Sequence, residues 1–166
     1  MITLVLGGAR SGKSAVAERL VGALGDHVTY LATGAAEPTD SSFAARIAAH
    51  RLRRPTTWTT VECGADLAPA LAAADGVVLV DALGTWLAAH HDFDADVAAL
   101  LAALEARAAP TVLVSEEVGL GVHPSTELGG AFRDALGSLN QAVAELADDV
   151  LLVVAGRVLP LERGPG

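Results

Sequence analysis

The 166-residue sequence predicts an α/β fold, a mostly parallel sheet with flanking helices, in one domain over residues 1–166. Three observations carry that expectation. Apolar runs of strand length alternate with helical patterns along the chain, the order that builds parallel strands joined by crossover helices. Apolar residues make up 52% but aromatics only 4%, so Ala, Val and Leu must build the core. The run Gly7-Gly8-Ala9-Arg10-Ser11-Gly12-Lys13-Ser14 fits G-x-x-x-x-G-K-[ST] and sits between an apolar stretch and a helical one.

Taken in order, Ile2–Leu6 reads as a buried strand and Ala15–Val21 as a helix. The Gly-rich turn between them places backbone N–H groups around an anion at the positive end of the helix. Lys13 then reaches the β- and γ-phosphates of a nucleotide, and the Ser14 hydroxyl joins a Mg²⁺ shell. Lys13 is the only lysine beside ten arginines, so a compact point charge is retained here. His27–Ala32 reads as a strand and 33–40 as a loop. A helix capped by Asp40 or Ser41 runs to about Arg53, because Pro55 disfavours helix at the residue before it. Trp58–Glu62 is a short strand, Ala65–Ala74 a helix, and Gly76–Asp81 a buried strand ending in an acid. Helical patterns follow over Leu83–His90 and Asp94–Ala108. Thr111–Ser115 is a strand with Glu116 and Glu117 just past it. A long helix spans Glu127–Ala147, Val150–Ala155 is the last core strand, and Glu162–Gly166 is a tail.

The net charge of −9 argues against sequence-independent nucleic-acid binding. Four of the ten arginines, Arg46, Arg51, Arg53 and Arg54, nevertheless fall within nine residues, which points to a local anionic ligand. No apolar run approaches the roughly 20 residues of a membrane span. No signal-peptide pattern opens the chain, so a cytoplasmic location is expected. Cys63 stands alone, which leaves no disulfide framework or thiolate metal site, and it is expected to pack as a small hydrophobe.

Asp81 closes an apolar run in the manner of a Walker B acid. Its strand is expected beside the phosphate-loop strand, with the carboxylate near Mg²⁺. Asp81-Ala82-Leu83-Gly84 also matches D-x-x-G, but a chain with one lysine has no N-K-x-D guanine-reading motif, which argues against a regulatory GTPase. On a helix, Arg46, His50 and Arg53 share one stripe. Neighbouring guanidiniums favour a neutral imidazole, whereas the helix C-terminus opposes that shift. The stripe therefore has two readings, a solvated basic helix face or a nucleophilic histidine that attacks phosphorus. Glu62, Glu116 and Glu117, at or beyond strand ends, have two readings: second-rank site candidates, because ligands gather at the carboxyl ends of parallel strands, or acids that simply solvate strand ends.

Together these stretches resemble the bifunctional adenosylcobinamide kinase / adenosylcobinamide-phosphate guanylyltransferase family of cobalamin biosynthesis. The resemblance runs through Gly7 to Ser14, Tyr30-Leu31-Ala32-Thr33, and Ala45-Arg46-Ile47 with His50. It continues through Arg54-Pro55 with Trp58 and Glu62, then Glu117-Val118-Gly119-Leu120-Gly121-Val122 with Pro124. It ends with Phe132-Arg133-Asp134, Asn140-Gln141 and Val153-Val154-Ala155-Gly156. Gly34, Gly84 and Ser115 depart from frequent family choices.

The resemblance implies a RecA-like P-loop NTPase fold and a homotrimer. It implies that ATP or GTP phosphorylates the aminopropanol hydroxyl of adenosylcobinamide, a corrinoid. GMP from GTP is then transferred to that phosphate through a guanylylated histidine, matched here by His50, with release of pyrophosphate. It places Gly7, Gly8, Ala9, Arg10, Ser11, Gly12, Lys13 and Ser14 at the phosphates. Ala32, Thr33, Gly34, Arg51, Leu52, Arg53, Arg54, Glu62 and Asp81 match stretches that contact the guanine nucleotide. Lys13 and His50 are the catalytic candidates, and Ser14 and Asp81 the Mg²⁺ candidates. The rival expectations are a small-molecule kinase without histidine chemistry and a nucleotide-binding switch without turnover.

Overall fold

The computed structural model describes residues 1–34 and 55–164. The described strands are β1 (Ile2–Gly7), β2 (Val28–Ala32), β3 (Thr59–Glu62), β4 (Val77–Asp81), β5 (Thr111–Glu116), β6 (Asp149–Val154) and β7 (Arg157–Leu161). The described helices are α1 (Lys13–Leu24), α2 (Leu67–Ala73), α3 (Leu83–Ala88), α4 (Val97–Glu105) and α5 (Glu127–Leu146), with a short 3₁₀ turn over His91–Phe93. The strands form one sheet in the order β3-β2-β4-β5-β1-β6-β7. Every neighbouring pair is parallel except β6 and β7, so the expected mostly parallel α/β sheet is borne out. The expected helix between Asp40 and Arg53 lies outside the described residues.

Side-chain alternation divides the core into two layers. Along β4, Val78 and Val80 point into one layer while Val77 and Leu79 point into the other. The first layer is covered by α2 to α5, with Leu67, Leu83, Leu100, Leu136 and Leu139 at its centre. The second is covered by α1 through Val16, Ala17 and Val21. Burying one such leucine contributes about 1.5–3 kcal/mol, which lets a core with few aromatics hold the sheet.

Several helices are shorter than their sequence patterns. The Asp96 carboxylate accepts the Ala99 N–H at 2.9 Å, so α4 starts at Val97 rather than Asp94. The Leu83–His90 pattern ends as helix at Ala88 and passes into the 3₁₀ turn.

Two expectations need correction. The Asp81 strand does not lie beside the phosphate-loop strand, because β5 is inserted between β4 and β1. And β6 is followed by a further strand. Ala155 (φ 50°) and Gly156 (φ 73°) form a two-residue turn of positive φ, which suits the twist of a hairpin and sends β7 back along β6. Pro160 is tolerated in β7 because this is an edge strand.

Candidate active site

Helix α1 leaves β1 and packs over β5 and β4, so its first turn stands above the carboxyl ends of those strands. The register sets which residues meet there. Gly7 is level with Glu116, while Glu62, Ala32 and Asp81 are level with one another across β3, β2 and β4. Those three share the sheet face that α1 covers, since they follow the alternation of Tyr30 and Leu79.

The turn from Gly8 to Gly12 is held at both ends. The Ser11 N–H donates to the Gly8 carbonyl at 3.3 Å, and the Ser11 carbonyl accepts the Gly156 N–H at 2.7 Å from the β6–β7 turn. Gly12 has φ 93°, a conformation that side chains with a Cβ rarely adopt. In the first helical turn the Lys13 N–H donates to Ser11 Oγ at 3.3 Å and the Val16 N–H to the Gly12 carbonyl at 3.0 Å, which leaves the Ser14 and Ala15 N–H groups without a partner within the helix.

Two carboxylates, Asp81 and Glu116, meet the start of α1. The Ser14 hydroxyl donates to Asp81 Oδ1 over a long 3.4 Å, and the Tyr30 hydroxyl donates to Asp81 Oδ2 at 2.6 Å. Lys13 Nζ lies 3.5 Å from Glu116 Oε1 and 3.5 Å from the Gly8 carbonyl. The expected meeting of Ser14 with Asp81 therefore occurs although β1 and β4 are not adjacent; the path of α1 bridges the gap.

Thr33 is buried, and its hydroxyl is engaged by the protein. It accepts the Ala82 N–H at 2.9 Å, lies 2.7 Å from the Ala82 carbonyl and touches the Thr85 hydroxyl at 2.6 Å. That network holds the turn directly after Asp81. Ala32 and Gly34 flank Thr33 and are half-buried, and Glu62 is exposed at the end of β3. Gly8, Ala9 and Arg10 are exposed on the loop. His50, with Arg46, Arg51, Leu52, Arg53 and Arg54, lies outside the described residues.

Glu116 emerges as a closer participant than its sequence position suggested. Glu117 does not: its carboxylate accepts the Gly119 and Leu120 N–H groups and shapes the following loop. Tyr30 and Asn140 are also positioned to matter. Asn140 on α5 donates to the Glu116 carbonyl at 3.0 Å and accepts from the Ser115 hydroxyl at 2.6 Å. Both had been visible in the sequence only as parts of the family resemblance. Cys63 packs against the core, as expected, and its thiol is held above the ordinary range, first by burial and then by the nearby Asp66 carboxylate, against a lowering backbone contact.

The donors at Ser14 and Asp81 are hard oxygens, the type that Mg²⁺ prefers. Among the described residues no group of three or more His, Cys, Asp or Glu side chains forms a self-contained metal site. No helix among the described residues is long and apolar enough to cross a membrane.

Comparison with known proteins agrees with this geometry. The family model described as cobinamide kinase / cobinamide phosphate guanyltransferase matches residues 3–161. A Pseudomonas aeruginosa protein named bifunctional adenosylcobalamin biosynthesis protein CobP is 42% identical, over 99% of this chain and 99% of its own. Proteins named bifunctional adenosylcobalamin biosynthesis protein CobU from Salmonella typhimurium and Escherichia coli are each 37% identical, over 94% of this chain and 97% of theirs.

Proposed function

Since the chain belongs to the cobinamide kinase / cobinamide phosphate guanyltransferase family, we propose that one phosphate loop serves both reactions and that His50 carries the second. The enzyme is a bifunctional transferase of cobalamin biosynthesis, a kinase and a nucleotidyltransferase. The observation that carries the single-loop reading is the placement of Lys13 and Ser14 against Glu116 and Asp81 at the carboxyl ends of β5 and β4.

In the kinase reaction the aminopropanol hydroxyl of adenosylcobinamide attacks the γ-phosphorus of ATP or GTP, and the nucleoside diphosphate leaves. Lys13 and the N–H groups of the loop stabilise charge on the transferring phosphoryl group. Ser14 and Asp81 would hold Mg²⁺, which when bound neutralises the nucleotide phosphates. Tyr30 orients the Asp81 carboxylate for that role.

In the second reaction an imidazole nitrogen of His50 attacks the α-phosphorus of GTP. The bond to the β-phosphate oxygen breaks and pyrophosphate leaves. An oxygen of adenosylcobinamide phosphate then attacks the same phosphorus, the P–N bond breaks, and His50 is regenerated. Two displacements replace one difficult step. Arg46, Arg51, Arg53 and Arg54 supply paired donors for the phosphates around His50. Ala32, Gly34 and Glu62 line the nucleotide side, and the buried Thr33 holds the turn after Asp81 behind them.

We read the chain as one cytoplasmic domain that assembles as a homotrimer. The exposed Val154, Val158, Leu159 and Leu161 on β6 and β7 support an apolar contact. Light scattering should then give three times 16.8 kDa at micromolar concentration. The chemistry is tested by mass spectrometry after incubation with GTP and Mg²⁺. A GMP adduct that is lost in acid, survives base and is absent from His50→Ala is expected; labelling that persists in His50→Ala contradicts the assignment.

A further inference from the structure

Three acids stand around the phosphate loop, and two are engaged elsewhere: Asp81 by Ser14 and Tyr30, Glu117 by the amides of its own loop. Glu116 is different. Its Oε1 lies 3.5 Å from Lys13 Nζ, while Oε2 is buried with no hydrogen-bond partner among the described residues. A buried carboxylate oxygen left unpaired is costly, so its presence calls for a reason.

The surroundings supply one. The carboxylate lies against Gly84, which is itself buried: a Cβ there would overlap Glu116 Oε2 and push the end of that side chain aside. The backbone beneath it is fixed by Asn140 and by the register with Gly7. A charged side chain on a pinned backbone, in a space kept clear for it, thus faces the single lysine of the chain.

We infer that Glu116 is a positioning residue for Lys13, holding the ammonium at the phosphate seat before nucleotide binds and yielding it to the phosphates afterwards, with Gly84 as its matched partner. The inference rests on the reading that nucleotide phosphates occupy this loop. Lysine is a point charge on a flexible stem, so an anchoring carboxylate reduces the ordering left to the reaction itself. The same carboxylate competes with incoming phosphate for the ammonium and repels it. Removing its charge should therefore tighten nucleotide binding and slow turnover together. Simple structural damage would weaken both.

The test compares the full-length wild type, Glu116→Gln, Gly84→Ala and the double variant. Calorimetry reads the affinity for a β,γ-imido analogue of ATP, and steady-state assays read kcat for the kinase. Glu116→Gln should bind the analogue about two- to fivefold more tightly, the scale of a partly exposed ion pair. Its kcat should fall about tenfold through lost orientation. Gly84→Ala should shift both quantities in the same direction, because the added methyl displaces the carboxylate. The double variant should be no worse than Glu116→Gln alone. Unchanged or weaker binding by Glu116→Gln, or additive effects in the double variant, would overturn the inference. Glu116→Gln is nearly isosteric, so it decides the matter even if Gly84→Ala does not fold. A wild type that binds no analogue would instead overturn the phosphate-loop reading beneath it.

Discussion

The Ser14 hydroxyl stands 3.4 Å from the Asp81 carboxylate although 67 positions separate the two residues and β5 lies between β4, which carries Asp81, and β1, which leads into the phosphate loop. Parallel strands lie about 4.8 Å apart, so β1 and β4 are roughly 10 Å from each other. Helix α1 closes that distance by crossing β5 and setting its first turn over the end of β4. The pairing of a phosphate-loop hydroxyl with a strand-end acid is therefore a property of the helix path.

This pairing predicts a metal-dependent phenotype. Asp81→Asn keeps the size of the side chain and removes its charge. The Mg²⁺ concentration at half-maximal kinase rate should rise about tenfold and turnover should fall. Tyr30→Phe deletes only the 2.6 Å hydroxyl contact and should produce a smaller shift, about two- to threefold. A Mg²⁺ titration checks both, and an unchanged curve for Asp81→Asn would place that residue outside the metal shell.

His50 should separate the two reactions. If phosphoryl transfer to the hydroxyl is direct, His50→Ala loses guanylyl transfer by at least about a thousandfold, as expected for a missing nucleophile. It retains phosphorylation of adenosylcobinamide. Parallel assays of phosphate incorporation and pyrophosphate release measure this. Loss of kinase turnover in a folded His50→Ala protein would give the histidine a wider role.

Stability should depend on Arg107. Its guanidinium donates to the carbonyls of Leu71, Ala74 and Gly76 and to the Thr111 hydroxyl, tying the end of α2 to the starts of β4 and β5. Burial lowers its pKa, against a raising contribution from Asp75. Arg107→Ala should cost about 2 kcal/mol by denaturant unfolding, because it leaves several carbonyls unpaired. Arg107→Lys should recover only part of that, since an ammonium cannot reproduce the fork. Equal stability of Arg107→Ala and wild type would contradict the assignment.

Cys63 should react slowly. Burial first, and Asp66 second, raise its pKa, so less thiolate is present at pH 8 than in a free thiol. Alkylation by iodoacetamide at pH 8 should be slower than that of free cysteine, and should accelerate as pH rises or as urea unfolds the chain. A rate equal to that of free cysteine would show an accessible, unperturbed thiol.

The strand, Gly-rich turn and helix of the phosphate loop were legible because each has a local signature: an apolar run, glycines and a helical pattern. The parallel sheet was legible from the alternation of elements. The insertion of β5 between β1 and β4 was not, because strand order depends on packing between distant segments and leaves no local mark. β7 was missed because its turn is Ala155-Gly156, where only the glycine is a turn former and Ala155 takes positive φ without a special side chain. Glu116 could be named as a strand-end acid, but its contact with Lys13 and the space beside Gly84 depend on α1 and α3 both reaching β5 from the two faces of the sheet. The acids that looked equivalent in sequence, Glu116 and Glu117, differ because alternation turns one toward α1 and leaves the other to its loop.

The most direct test of a single phosphate loop serving both reactions is Lys13→Ala, assayed in parallel for phosphorylation of adenosylcobinamide and for pyrophosphate release from GTP. Loss of the one ammonium beside the transferring phosphates should lower both rates by about a hundredfold or more, with the fold retained by circular dichroism. Retention of either activity at the wild-type rate would contradict the account.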